Sequence, residues 1–72
     1  MVMIRVSAEY DPEASVWVAE SNDIPLITEA DTVEALHRKL PGMVADLIDG
    51  DIGSEVKIDL VTHSSFRMSK VA

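Results

Sequence analysis

The chain has no cysteine, so it lacks two features that commonly stabilise small domains, disulfide bonds and thiolate-bound metal ions. Disulfides and thiolate metal sites are both excluded. With only two histidines, the sequence also disfavours a histidine-based site. A domain of 72 residues buries only about 60% of the surface that its unfolded chain exposes. The usual remaining staple at this size is self-association, and we therefore expect a homodimer.

Long apolar runs are absent as well. No segment approaches the about 20 apolar residues that a membrane-spanning helix requires. The N-terminal MVMIRVSAEY alternates apolar and polar residues and lacks the apolar core and cleavage site of a signal peptide. We therefore expect no membrane association and a cytoplasmic location.

Basic side chains are few: six Lys and Arg stand against thirteen Asp and Glu, for a formal net charge of −7. Because phosphate backbones are bound mainly by Lys and Arg, this balance disfavours autonomous nucleic-acid binding. An acidic surface suits a basic protein partner through electrostatic steering. The same charge also serves solubility alone.

Recognisable catalytic motifs are missing. The acids near the hairpin and the helix entry, Asp11, Glu13, Glu29 and Asp31, are the side chains that a small metal-dependent nuclease would use. A structural role in a turn accounts for Asp11 and Glu13, and a role as a helix cap accounts for Asp31. We therefore predict that the chain is not an enzyme, with no catalytic, metal or cofactor site, and keep that nuclease and an orphan structural dimer as alternatives.

The patterns that are present predict four strands. Residues 2–10 and 55–63 alternate apolar and polar side chains, which is typical of half-buried strands. Residues 16–19 are apolar on both faces and indicate a central strand. Residues 26–30 predict a third, short strand with a proline close to its start.

A helix is predicted after the third strand. Asp31 and Thr32 are both good N-cap residues, and Glu34 would complete a capping box if Asp31 were the cap. A single apolar stripe follows, and it keeps its phase across Pro41. We therefore favour one kinked helix over two short ones. Gly50 or Gly53 can end this helix.

These elements predict an α+β domain with the order β-β-β-α-β. The first three strands form an antiparallel meander, and a right-handed crossover places the fourth beside and parallel to the first. The expected strand order is 3-2-1-4 with one helix across one face. The domain is predicted to span residues 1–63, and residues 64–72 form a flexible C-terminal tail.

The orientation of the second strand stays open. Either Val16 and Val18 face the helix and Trp17 and Ala19 point away from it, or Trp17 is a core anchor and the valines face outward. The first orientation places an apolar surface opposite the helix. The side chains predicted to contact a partner are Trp17, Ala19, Phe66 and Met68.

Two segments carry a family resemblance. YDPEASVWVAESNDIPLITEADTVEAL, with its Asp-Pro-Glu hairpin, Val-Trp-Val-Ala strand and Asp-Ile-Pro loop, resembles a bacterial family of small HicB-like domains of unknown function. LHRKLPGMVADLI is similar to the proline-containing helix of that family, and the match covers roughly residues 3–61. One departure is Leu26, which follows the loop proline where the family usually has glycine.

The resemblance implies the truncated RNase H-like fold of HicB antitoxins. These antitoxins neutralise small, basic, RNA-cleaving HicA toxins by direct binding. It therefore implies a non-catalytic protein-binding module, antitoxin-like, whose partner would be a small basic toxin. Longer members add a C-terminal DNA-binding domain, which we do not expect after Val61. No toxin-contact residue is carried over.

Overall fold

In the computed structural model, which describes residues 2–48, 55–65 and 67–69, four strands form one mixed sheet with a helix on one side. The elements are β1 (Val2–Asp11), β2 (Val16–Ser21), β3 (Leu26–Ala30), α1 (Val33–Leu47) and β4 (Val56–His63). The strand order is β3-β2-β1-β4, with β1 antiparallel to β2, β2 antiparallel to β3, and β1 parallel to β4. The predicted α+β topology is confirmed.

The core lies between the sheet and α1. It draws on alternate positions of β1, on single positions of β2 and β3, and on one stripe of α1: Ile4, Val6, Ala8, Ala19, Leu26, Leu36, Leu40 and Val44. Because side chains alternate along a strand, burying this set turns the polar set of β1 to the opposite face of the sheet.

The β1–β2 hairpin is closed by a turn over residues 12–15. The Asp11 carboxylate accepts a hydrogen bond from the Glu13 backbone N–H at 3.0 Å. Ser15 adopts a positive φ of 57°, which the turn requires to re-enter β2. At the far end of β2, the Ser21 hydroxyl donates to the Arg5 carbonyl at 2.7 Å and extends the pairing beyond the last residue pair.

Thr32 is the residue that caps α1. Its backbone is extended, with φ −137°, and its Oγ1 accepts from the Ala35 N–H at 3.0 Å. Asp31 therefore lies one residue before the cap, and the capping box built on Asp31 is wrong. Glu34 still lies in the first turn, where a carboxylate suits the positive end of the helix dipole.

α1 runs without interruption through Pro41, as the preferred one-helix interpretation predicted. A proline inside a helix costs roughly 3 kcal/mol. Burial of Leu36, Leu40 and Val44, at roughly 1.5–3 kcal/mol for each side chain, offsets that cost. The predicted end at a glycine is wrong, because α1 ends at Leu47 and Gly50 and Gly53 lie outside the described residues.

The C-terminal segment adopts neither helix nor strand at residues 64, 65 and 67–69. The flexibility of residues 64–72 stays a prediction. α1, at 15 residues, is too short to cross a membrane, and no other helix able to do so occurs in the described ranges.

The cap assignment yields a stability prediction. We expect Thr32→Ala to lower the free energy of unfolding by about 1 kcal/mol, because the Ala35 N–H loses its acceptor. For a domain of this size the melting temperature falls by about 4–8 °C. Asp31→Ala is the matched control and should lower the melting temperature by less than Thr32→Ala does. A larger loss in the Asp31 variant on thermal melting would contradict the assignment.

Candidate functional site

One face of the sheet is packed against α1, and the other is uncovered within the described part of the chain. We call the second surface the open face. Strand alternation and register assign to it the exposed or half-buried side chains of four strands: Met3, Arg5, Ser7, Glu9, Val16, Val18, Glu20, Ile27, Glu29, Lys57, Asp59, Val61 and His63.

Three carboxylates surround Val18 on the open face. The register places Glu9 of β1 and Glu29 of β3 directly opposite Val18 of β2, one on each side. Glu20 is two residues further along β2 and therefore on the same face. We call Glu9, Val18, Glu20 and Glu29 the acidic patch. No salt bridge neutralises these three carboxylates within residues 2–48, 55–65 and 67–69, where the recorded pair is Arg5 with Asp59 at 3.5 Å.

The concavities beside the acidic patch are small. One, of about 200 Å³, is lined by Ser7, Ala8, Glu9, Val18, Glu20 and His63. A second, of about 270 Å³, is lined by Arg5, Ser7, Glu20, Asn22 and Asp23. Small-molecule pockets are commonly about 300–1,000 Å³. Both concavities are smaller than that range.

Trp17 and Ala19 lie on the other face of the sheet, toward the helix. The hairpin pairs Trp17 with Tyr10 and Ala19 with Ala8, which is fully buried beneath α1. The rings of Tyr10 and Trp17 are tilted by 59° with centroids 5.4 Å apart, and Trp17 packs against the core. The orientation with Trp17 and Ala19 pointing away from the helix is wrong, and the orientation with the valines outward is confirmed.

Ala19 has no surface to offer a partner, because its side chain is 0% exposed. Its predicted role as a partner contact is therefore wrong. Met68 is 81% exposed, and its predicted contact stays a prediction. Phe66 lies outside the described residues. Trp17 and Ala19 therefore do not lie on the open face.

The acidic patch was missed at the level of sequence. Glu9 is a polar position of the first predicted strand, whereas Glu20 lies one residue beyond the second predicted strand, residues 16–19, and the proximity of the two depends on the hairpin register. The patch could have been predicted by combining the alternation of β1 with the orientation of β2 in which the valines face outward.

The acids considered for a metal-dependent nuclease do not converge. Asp11 accepts hydrogen bonds from the backbone N–H groups of Glu13 and Ala14, at 3.0 and 3.4 Å, which is a structural role within its turn. Asp31 precedes the helix cap, and Glu29 belongs to the acidic patch. In the portion that the structure describes, no three His, Asp or Glu side chains form a group able to hold a metal ion.

Fold and surface define a class: a one-helix α+β domain with an uncovered, acidic sheet face. The family model of a domain of unknown function (DUF1902) matches residues 3–72, and the chain belongs to this family. A crystal structure of the hypothetical protein TTHA1013 from the extremely thermophilic bacterium Thermus thermophilus is similar, with 38% identity and a TM-score of 0.67. That match covers 94% of this chain and 99% of the other. No curated protein matches.

The position of Trp17 yields a second prediction. Trp17→Ala should destabilise the fold by about 1–3 kcal/mol, because a half-buried aromatic side chain leaves the core and Tyr10 loses its neighbour. Urea unfolding followed by far-ultraviolet circular dichroism measures the change. Val18→Ala is a control on the same strand and should cost less. Equal stability of the Trp17 variant and the wild type would contradict the core position.

Proposed function

We propose that this chain is a non-catalytic protein-binding module whose partner is a small basic protein that docks on the open face. The observation that carries the proposal is the acidic patch on a sheet surface that α1 does not cover. A four-stranded sheet with one helix leaves such a surface available for association.

The open face combines charge with exposed apolar area. Ile27 is 70% exposed opposite Glu20, and Val61 is 48% exposed across Ser7 on the other side. Apolar contacts would supply affinity, while the carboxylates would select a partner rich in Lys and Arg. The net charge of −7 would accelerate the encounter with such a partner.

The sequence resemblance to HicB-like domains supports a more specific form of this proposal. HicB antitoxins cover small basic RNA-cleaving toxins, and the basic partner proposed here would be a protein of that kind. Neutralisation would then be steric and electrostatic, with the open face occupying the basic surface through which the toxin binds RNA. The interaction would take place in the cytoplasm.

Self-association is a separate part of the proposal. A chain of 72 residues without cysteine has no disulfide staple. A homodimer would bury apolar surface that one helix leaves half-exposed on the sheet, including Val56, Ile58 and Leu60.

Reversal of charge in the acidic patch tests partner binding. The tagged chain is expressed in its native host, small basic proteins that co-purify are identified, and the best candidate is purified and titrated by calorimetry. Glu20→Lys should raise the Kd for the basic protein by about tenfold or more, because the variant places a positive charge at the proposed contact. Higher salt should weaken wild-type binding.

Asp46→Lys is the matched control, since it makes the same charge change on an exposed position of α1. Its Kd should stay within about twofold of the wild-type value, because it lies away from the proposed contact. Equal weakening by the two variants would contradict docking on the open face. Failure of any small basic protein to bind the purified chain would contradict the proposed partner class.

A further inference from the structure

The two edges of the sheet differ in how well they are protected. β3, at one edge, has five residues, follows Pro25 and contacts α1. The Lys39 ammonium also donates to the Glu29 carbonyl at 2.7 Å, which occupies a backbone acceptor of this strand. Short length, proline and lysine are devices by which native sheets block pairing at an edge.

β4, at the other edge, lacks the first two of these devices, and its lysine, Lys57, is followed two residues later on the same face by the acidic Asp59. It has eight residues and contains no proline. The Val2 N–H donates to the Glu55 carbonyl at 3.0 Å, so odd-numbered residues of β4 direct their backbone groups toward β1. The even-numbered residues, from Val56 to Thr62, direct theirs outward. Within the described residues, no hydrogen bond reaches these outward groups.

An apolar strip runs beside this free edge. Val56, Ile58 and Leu60 face the helix layer but remain only half-buried, because the backbone of α1 lies closer to β2 and β3 than to β4. A depression of about 150 Å³ separates β4 from α1 and is lined by Pro41, Val44, Ala45, Ile48, Val56 and Ile58.

We propose that a second copy of this chain adds its β4 antiparallel to this edge, with Ile58 on the two-fold axis. Val56 of each copy then faces Leu60 of the other, and the outward backbone groups of both strands pair. On the open face, Lys57 of each copy faces Asp59 of the other. The dimer therefore gains two cross-strand pairs of opposite charge.

Charge complementarity and the length of paired strand together select this register over its neighbours. With Val56 on the axis, Lys57 would face Glu55, but Val56 would be the only β4 residue opposite a β4 residue of the second copy. With Asp59 on the axis, two carboxylates would face each other directly, and with Lys57 on the axis, two ammonium groups would do so. With Leu60 on the axis, Asp59 would face Val61 and gain no charge partner. The Ile58 register also places Asp59 between Arg5 of its own chain, at 3.5 Å, and Lys57 of the second copy.

The resulting dimer has one continuous sheet, with both helices on one side and both acidic patches on the other. Apolar side chains of the second β4 would lie beside the depression next to α1. This inference specifies the self-association proposed above and is independent of the basic partner, because the edge pairing leaves the acidic patch free.

A charge swap tests the pairing. The wild type, Lys57→Glu, Asp59→Lys and the double variant with both substitutions are compared by sedimentation velocity from 1 to 100 µM, a range of about two decades around typical micromolar affinities. We expect a wild-type dimer and a Kd about tenfold or more higher for each single variant. The dimer should be restored in two cases: in an equimolar mixture of the two single variants, and in the double variant alone. In both cases opposite charges face each other again.

Arg38→Glu is the matched control, with the same charge change as Lys57→Glu on an exposed position of α1. It should dimerise like the wild type, and circular dichroism verifies that each variant is folded. A monomeric wild type over this range would overturn the inference. Equal dimerisation of Lys57→Glu and Arg38→Glu, or no recovery in the mixture and the double variant, would overturn it as well. Binding of a basic protein is measured separately with Glu20→Lys, so the failures of the two proposals are distinguishable.

Discussion

The register of the β1–β2 hairpin is the constraint on which the rest of the structure depends. Pairing of Tyr10 with Trp17 assigns every β2 side chain to a face, and pairing of β2 with β3 transmits the assignment. Because strand side chains alternate, a shift of one residue would exchange the two faces of β2. Val18 would then enter the core, and Ala19 would stand among the carboxylates.

The second determinant of the exposed surfaces is that a single helix covers the four-stranded sheet. α1 is one helix for four strands, and its backbone lies nearest to β2 and β3. The sheet therefore keeps one uncovered face and one incompletely covered edge. These surfaces differ in chemistry. The face carries three carboxylates around Val18 that no salt bridge neutralises among the described residues, whereas the edge carries apolar side chains and balanced charges at Lys57 and Asp59. The difference is why we assign a basic partner to the face and a second copy to the edge.

Sequence patterns were sufficient for the strands and their order, because period-two alternation and the right-handed crossover are local or nearly universal constraints. They were insufficient for the faces of β2, since residues 16–19 are apolar throughout and the register depends on a turn closed by Ser15 at positive φ. Asp31 and Thr32 were equivalent as caps by residue type, and only the Thr32 Oγ1 is placed to accept from Ala35. The acidic patch was hidden for the same reason as the face of β2, because its carboxylates come from three strands.

The absence of cysteine permits a direct measurement of the face assignment. Single Ala19→Cys and Glu20→Cys variants are labelled with a thiol reagent under native conditions, and the two rates are compared. We expect the thiol at position 19 to react roughly a hundredfold or more slowly than the thiol at position 20, because a fully buried side chain is reached only when the domain opens. Equal rates, or faster labelling at position 19, would contradict the register and remove the acidic patch from the open face.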